Sequence, residues 1–202
     1  MTKRVFALSI AVAVAATLTM APSDSAAEEG KTYVGHSQCR ICHNKKDEGE
    51  QWNSWKSEDH ARAFETLSTD AAIALGKELG LEKPPAESPE CLVCHVTAYD
   101  VEKLAPPDKI NLADGVQCER CHGPASAHVI EGKKHRSGDE TAEPAKLMVH
   151  PDKQICLTCH NEKSPTWNPE RYTLEDGSTV GFDFEQAWAK IDHSNPLKKG
   201  SE

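Results

Sequence analysis

Four copies of one five-residue pattern, Cys-x-x-Cys-His, constrain this chain more than any other feature. The copies use all eight cysteines and four of the ten histidines. Two cysteines three positions apart can each form a thioether with one vinyl group on the same porphyrin edge, and the adjoining histidine can then bind the iron. The pattern is the attachment motif of c-type haem and predicts four covalent haems. The four motifs consist of Cys39, Cys42 and His43; Cys91, Cys94 and His95; Cys118, Cys121 and His122; and Cys156, Cys159 and His160.

Two other roles of paired cysteines account for part of this pattern. Structural zinc sites use Cys-x-x-Cys pairs, so four pairs would build two such sites. Disulfides suit an exported chain, and eight cysteines can pair in about 105 ways. Neither role explains why a histidine follows every pair, whereas haem attachment does. The sequence therefore favours haem over zinc and over disulfides.

The N-terminal segment has the organisation of a secretory signal peptide. Lys3 and Arg4 give it a basic start, an apolar run covers Val5–Met20, and small residues follow up to Ala27. The alternative is a membrane anchor, but the apolar run is shorter than the roughly 20 residues that a spanning helix needs. We expect cleavage after Ala27, no membrane anchor afterwards, and a periplasmic location, where bacterial c-type haem is attached.

The mature chain is predicted to be acidic. Removal of residues 1–27 takes away Lys3, Arg4 and Asp24, which leaves 21 basic and 31 acidic residues and a net charge of −10. Nucleic acid is excluded as a partner, because its phosphates require a basic protein face. The acidic surface is either simply solvated or steers the protein towards a basic redox partner.

Residues 28–202 have the length of one domain, and we expect a tetrahaem cytochrome c domain. Aromatic residues make up 5% of the chain and charged residues 27%, so the polypeptide alone builds a modest core. Four buried porphyrins would supply the missing apolar surface, and folding would then be coupled to the cofactor. The predicted fold class is mainly α, with helices and loops wrapped around four covalently bound c-type haems and little β-structure.

One histidine beyond the first motif is a candidate ligand for the far side of an iron. The pattern predicts a helix capped by Ser57, in which His60, Phe64 and Leu67 recur at i, i+4 and i+7. This spacing places His60 on an apolar stripe. An inward histidine is most often a satisfied core group, but four haem irons need up to four sixth ligands. We therefore interpret His60 as a distal ligand.

Two histidines after the third motif compete for another distal position. Gly123-Pro124 predicts a turn, after which His128 can reach a neighbouring iron. His135 lies in a polar, basic run that is typical of a solvated surface, and it is the alternative to His128. His36 and His150 precede motifs, and we expect surface or supporting roles for both.

The last histidine follows a predicted amphipathic helix that ends at Asn195-Pro196, because a residue before proline avoids helical backbone angles. On an ideal helix His193 would point away from the apolar face. Only a departure of the backbone near the helix end would turn His193 towards a haem. Four residues form the apolar face at helical spacing: Phe184, Ala187, Trp188 and Ile191.

Several runs are more specific than the haem motifs alone. They are the first motif followed by Trp55 and His60-Ala61-Arg62-Ala63, then Cys91-Leu-Val-Cys-His95-Val96, then Gly115-Val116-x-Cys118-Glu119-x-Cys121-His122-Gly123-Pro124, then the fourth motif, and a terminal helix near a histidine. With these runs, in this order, the chain resembles the tetrahaem cytochrome c-554 family over most of its mature length.

The resemblance implies a mainly helical fold, closely packed haem pairs and electron transfer as the activity. It also implies that most irons are bound by two histidines. The implied distal ligands are His60, either His128 or His135, and His193. An electron donor similar to hydroxylamine oxidoreductase, a multihaem enzyme, is a further implication.

In the family the haem of the second motif lacks a sixth ligand. The resemblance implies that the corresponding haem here is the one bound to His95. This chain departs from the family pattern in having a longer segment between His122 and His135. His36 and His150 are also spare, so either could close the open haem.

Three functions are compatible with these features. The first is a periplasmic electron carrier between redox partners, which needs no catalytic base. The second is a redox enzyme or gas-binding protein, for example for nitric oxide, that acts at a five-coordinate haem. The third is a subunit of a haem filament. The sequence favours the carrier, since it lacks the Cys-x-x-Cys-Lys motif of pentahaem nitrite reductases and contains no constellation that demands a catalytic base.

Overall fold

The structure, a computed structural model, describes residues 31–99 and 109–193. The predicted signal peptide lies outside these ranges. Asn195 and Pro196 also lie outside them, but the prediction that the last helix ends there is wrong, because the helix ends at Ile191, where Asp192 takes up extended backbone angles. Inside them the fold is mainly α-helical with two short strands, which confirms the predicted fold class. Within the same ranges no helix has the length and apolar character needed to cross a membrane.

The described residues form eight short α-helices, two strands and six 3-10 helices. The α-helices are α1 (His36–His43), α2 (Gln51–Ser57), α3 (Asp70–Glu78), α4 (Pro89–His95), α5 (Cys118–His122), α6 (Ser126–Arg136), α7 (Lys153–Leu157) and α8 (Phe184–Ile191). Strands β1 (Tyr172–Thr173) and β2 (Thr179–Val180) pair antiparallel, with Tyr172 opposite Val180. The 3-10 helices are Lys46–Glu48, Asp59–Arg62, Glu65–Ser68, Pro85–Glu87, Leu112–Asp114 and Pro144–Leu147.

The haem motifs coincide with helices α1, α4, α5 and α7. In a helix, residues three apart lie on the same face, so one turn presents both thiols of a motif to the same side. In the fourth motif α7 ends at Leu157, and a backbone hydrogen bond of 2.9 Å from His160 N–H to the Cys156 oxygen continues the turn. Asp152 caps α7 by accepting hydrogen bonds from the backbone N–H groups of the next turn.

The apolar core of the polypeptide is small. Leu67, Leu92 and Val96 form a buried cluster, and Phe64 and Tyr99 pack against it. The cluster joins the segment after His60 to the helix of the second motif. A core of this size agrees with the expectation that the cofactors supply much of the buried apolar surface.

The approach to the third motif, residues 114–119, contains the buried residues Val116, Gln117 and Glu119 and is here called the central segment. The indole N–H of the buried Trp55 donates to the backbone oxygen of Val116 at 2.8 Å. The backbone N–H of Val116 donates in turn to the backbone oxygen of His60 at 2.9 Å. The central segment therefore fixes both α2 and the backbone of His60.

Gly115 allows this close approach. Its φ of +66° is in the region that favours glycine. A Cβ at this position would lie 2.7 Å from the His60 backbone oxygen and 3.1 Å from the Ala63 nitrogen. The backbone oxygen of Gly115 also accepts a hydrogen bond of 3.1 Å from the N–H of Thr97, just after the second motif. A residue with a side chain would push these segments apart.

The prediction of a helix that begins at Ser57 is wrong. Helix α2 ends at this residue, whose hydroxyl donates to the backbone oxygen of Ser54 at 2.7 Å. Glu58 has extended angles, with φ −88° and ψ 165°, and these interrupt the helix. Two 3-10 helices, Asp59–Arg62 and Glu65–Ser68, follow instead.

Helix α8 has the predicted amphipathic face. Its first residue is preceded by Asp183, whose carboxylate accepts from the N–H of Gln186 at 3.0 Å. The helix ends at Ile191, and Asp192 leaves it with a ψ of 131°. The backbone therefore departs from the helix just before His193. The other residues along the helix are exposed. The residues predicted to face inward are half-buried, namely Phe184, Ala187, Trp188 and Ile191.

Candidate haem-binding sites

The eight cysteines are all free thiols, and each is partly accessible. A thiol that is neither paired in a disulfide nor fully buried can form the thioether bond of a c-type haem. In the part of the chain that the structure describes, no three His, Cys, Asp or Glu side chains converge as they would around a metal ion. The thiol chemistry therefore fits covalent attachment of a cofactor at each motif.

Three motif histidines each face a second imidazole from a distant part of the chain. Two imidazoles that bind one metal ion from opposite sides, with metal–nitrogen distances near 2 Å, have ring centroids about 6 Å apart. The observed separations agree with this value. The pairs are His43 with His128 at 6.0 Å, His122 with His193 at 5.9 Å, and His160 with His60 at 6.1 Å.

Hydrogen bonds orient several of these rings. A ligand histidine usually donates its second ring N–H to an oxygen, which fixes the tautomer and leaves the other nitrogen free for the metal. Each acceptor below is a carbonyl oxygen, which cannot donate, so Nδ1 carries the hydrogen and Nε2 has the lone pair. The Nδ1 contacts are His43 to Gln51 Oε1 (3.2 Å), His95 to the Ala63 oxygen (2.7 Å), His122 to the Val149 oxygen (2.9 Å) and His128 to the Pro144 oxygen (2.9 Å).

Burial favours the neutral form of four of these histidines. Desolvation disfavours the charged imidazolium and is the main reason that their pKa values are lowered. Neutral imidazole is the form that binds a metal ion. The histidines with a lowered pKa are His43, His60, His122 and His160.

His95 has a different environment from the other motif histidines. Its Nδ1 donates to the backbone oxygen of Ala63, and Thr66 Oγ1 lies 3.3 Å from the same nitrogen. Within the described ranges no second imidazole is in ring contact with His95. The structure therefore places one imidazole at the second motif and two at each of the others.

The remaining histidines lie away from these pairs. Both ring nitrogens of His36 are engaged, since Nδ1 accepts from the indole N–H of Trp52 and Nε2 lies 3.0 Å from Asp114 Oδ2. His135 and His150 are exposed to solvent. Of the two competing histidines after the third motif, the structure brings His128 against a motif histidine and leaves His135 at the surface.

Phe182 is a contact of the fourth motif that the sequence did not indicate. Its ring lies parallel to that of His160, with centroids 5.5 Å apart and an interplanar angle of 18°. Tyr172 packs edge-on against Phe182, and Lys190 lies over the Tyr172 ring. Spacing along the chain carries no signal for such a contact, because Phe182 follows His160 by 22 positions in a loop.

Comparison with known proteins identifies a family with a similar sequence. Residues 38–123, which contain the first three motifs and His60, match the family described as cytochrome c554 and c-prime. Over this region the chain is similar to c554-type multihaem cytochromes. It is therefore a c-type cytochrome, an electron carrier with covalently bound haem c. The resemblance recognised from the sequence is confirmed.

Two relatives of this chain are also named cytochromes. It is 25% identical over 196 residues to cytochrome c-554 of Nitrosomonas europaea, an alignment that covers 85% of this chain and 78% of that protein. It is 26% identical over 103 residues to the multiheme cytochrome MtrA of Shewanella baltica, which covers 46% of this chain and 29% of that protein. The solved structure of reduced cytochrome c554 from Nitrosomonas europaea superposes on 81% of this chain, with 22% identity and a TM-score of 0.47.

Proposed function

We propose that this cytochrome carries four covalent haems and serves as a periplasmic electron carrier between redox partners. The observation that carries the proposal is the set of three imidazole pairs with centroids about 6 Å apart, each of which contains one motif histidine. Four histidines that follow Cys-x-x-Cys pairs in sequence would be the proximal ligands. Three histidines from other segments would be the distal ligands.

The pairs support one distal ligand for each of three motifs. His128 would complete the first site, His193 the third and His60 the fourth. The haem of His95 would have one protein ligand to its iron. Because every distal histidine comes from a segment far from its motif, haem binding would also join distant parts of the chain, which agrees with the small apolar core.

Haems bound at these motifs would supply reversible one-electron oxidation and reduction. The protein holds the ligand rings in fixed orientations, through the Gln51 side chain at His43 and backbone oxygens at His122 and His128. Rings that are already oriented need little rearrangement when the charge on the iron changes. A carrier requires this and needs no proton donor or nucleophile beside the iron.

The proposed partners are redox proteins with basic docking surfaces. The mature chain would carry a net charge of −10, and such a surface attracts a basic partner over a distance set by the salt concentration. A multihaem enzyme similar to hydroxylamine oxidoreductase is the proposed donor. The signal-like N-terminal segment supports export.

The ligand assignment is tested by spectra of the purified holoprotein. Electron paramagnetic resonance should show three low-spin haems with two histidine ligands. Changing His60, His128 or His193 to Met should alter one low-spin signal each, and a different one in each variant. His135→Met is the matched control, because this exposed histidine contacts no motif histidine, and it should leave all signals unchanged. A change in His135→Met, or an unchanged spectrum in His128→Met, would contradict the assignment.

A second candidate function is binding of a small gas, such as nitric oxide, at the second motif. It is favoured by the single imidazole that the described residues place there. The reduced protein should then bind carbon monoxide at one haem in four. A visible spectrum that does not change when carbon monoxide is added would end this candidate and leave the carrier function intact.

A further inference from the structure

The third motif contains a buried carboxylate that haem attachment does not require. Glu119 lies directly after the first cysteine of the motif and is 1% exposed. A buried carboxylate is unfavourable unless its oxygens are fully hydrogen-bonded. The partners of Glu119 therefore indicate what the residue does in the fold.

Three backbone N–H groups donate to the two carboxylate oxygens of Glu119. Val34 N–H is shared between the oxygens at 3.0 and 3.1 Å, and Gly35 N–H donates to Oε2 at 2.8 Å. Ala125 N–H donates to Oε1 at 2.8 Å. Donors thus face both oxygens, an arrangement that suits a carboxylate, since an amide would turn its own NH2 group towards an N–H donor.

These donors belong to the beginnings of two helices that carry facing histidines. Gly35 precedes α1, which contains the proximal candidate His43. Ala125 precedes α6, which contains His128. The rings of the two histidines face each other with centroids 6.0 Å apart and an interplanar angle of 17°. One carboxylate therefore connects the starts of both helices of the first site, although it belongs to the third motif.

The helix termini also stabilise the charge of this carboxylate. Burial raises the pKa of Glu119, while the hydrogen bonds from Gly35, Ala125 and Val34 act in the opposite direction. The N-terminal ends of α1 and α6 carry partial positive charge, which favours an anion at this place.

A second side chain of the central segment reinforces the connection to α1. Gln117 is 1% exposed, and its Oε1 accepts from the backbone N–H of His36 at 3.0 Å. Its Nε2 donates to the backbone oxygen of Asn111 at 3.1 Å. Three successive backbone N–H groups, those of Val34, Gly35 and His36, thus donate to side chains of the central segment.

We propose that Glu119 is a positioning residue that sets the geometry of the His43–His128 pair from the third motif. This inference rests on the proposed function, in which that pair binds the iron of the first haem. Loss of the carboxylate would release the starts of α1 and α6 from each other. The tilt and separation of the two imidazoles would then change, and with them the spectrum of one haem.

The test compares two variants of the holoprotein with a matched control. Glu119→Gln keeps the length of the side chain and removes its charge. Glu119→Asp keeps the charge but is one methylene shorter, so it reaches the donors of one helix and not both. Glu90→Gln is the control, because Glu90 is also adjacent to a motif cysteine but is exposed.

Two measurements are made on each protein. The first is electron paramagnetic resonance, in which the signal of the first haem is identified as the one altered by His128→Met. Both Glu119 variants should shift or broaden that signal and leave the signal assigned through His60→Met unchanged. The second is amide hydrogen exchange, which should accelerate by at least about tenfold at Val34, Gly35 and Ala125 in Glu119→Gln. Glu90→Gln should change neither quantity.

The outcomes separate this inference from the proposed function. If His128→Met alters no signal in the parent protein, the proposed ligand assignment fails. If the assignment holds but both Glu119 variants leave the first haem signal unchanged, the positioning role is refuted, even when amide exchange accelerates. An equal change in every haem signal would refute it as well, because it would indicate a general loss of stability. If Glu119→Gln does not bind its haems, Glu119→Asp alone tests the positioning role. A shifted or broadened signal of the first haem in Glu119→Asp supports the role, and an unchanged signal refutes it.

Discussion

Substitution of Gly115 by alanine tests how the third motif controls the backbone of His60. Gly115 has φ +66° and ψ −140°, a conformation that residues with a side chain rarely adopt. The new Cβ would also lie 2.7 Å from the His60 oxygen and 3.2 Å from the Ala61 oxygen. Both contacts are with backbone atoms, which cannot turn aside as a flexible side chain can.

The two effects can be estimated separately. The unfavourable backbone conformation costs about 1–3 kcal/mol. Overpacking against neighbouring backbone costs about 1–3 kcal/mol more. We therefore expect Gly115→Ala to reduce the free energy of unfolding by about 2–6 kcal/mol. Because the nearest contact is the backbone of His60, we also expect the ring of His60 to move relative to His160.

Two other glycines provide matched controls. Gly80 has a φ of +68°, but a Cβ there would meet no atom within 4 Å, so Gly80→Ala should cost about 1–2 kcal/mol from conformation alone. Gly132 lies in α6 with open space around it, and Gly132→Ala should stabilise the helix by about 0.5–1 kcal/mol. Guanidinium unfolding of the three holoproteins measures these values. Electron paramagnetic resonance shows whether the haem signal assigned through His60→Met changes.

We expect the free energy of unfolding to be highest for Gly132→Ala, followed by the parent protein and Gly80→Ala, and to be lowest for Gly115→Ala. The haem signal should change in Gly115→Ala and in neither control. If Gly115→Ala unfolds at the same denaturant concentration as Gly80→Ala and retains the parent spectrum, the contact with His60 does not constrain the fold, and the reasoning is refuted.

Three more predictions follow from the described contacts. Trp55→Phe leaves the backbone oxygen of Val116 without its buried donor and should lower the free energy of unfolding by about 1–3 kcal/mol, as measured by chemical denaturation. A decrease below about 0.5 kcal/mol would show that this hydrogen bond is dispensable. Phe182→Leu removes the ring stacked on His160 and should alter the low-spin signal of the fourth haem alone, so a change confined to another haem would contradict the contact. A chain with serine at all eight motif cysteines should lose cooperative thermal unfolding in circular dichroism, because the apolar core is small; a sharp transition near that of the holoprotein would show that the polypeptide folds without haem.

Local patterns in the sequence predicted local features of the structure. The apolar face of α8 depends on spacings within two helical turns, and it occurs where expected. The helix from Ser57 was predicted wrongly, because the extended backbone of Glu58 interrupts a pattern that is otherwise helical. The spacing of apolar residues does not reveal that a single residue such as Glu58 has extended backbone angles.

Other features depend on contacts between distant residues and are absent from any local pattern. His193 reaches His122 because Asp192 leaves the helix, and spacing alone placed this histidine away from the apolar face. The choice between His128 and His135 needed the position of α6 relative to α1. The role of Glu119 depends on backbone groups more than 80 positions away, so its place inside a motif gave no indication of its contacts.

The central claim is that this chain binds four haems covalently, one at each motif. The most direct test is the intact mass of the protein after expression with a c-type haem maturation system, followed by peptide mapping of each motif. The account predicts a mass increase equal to four haems and one modified peptide for each Cys-x-x-Cys-His motif. An increase of fewer than four haems, or any motif recovered with two free thiols in the mature protein, would contradict it.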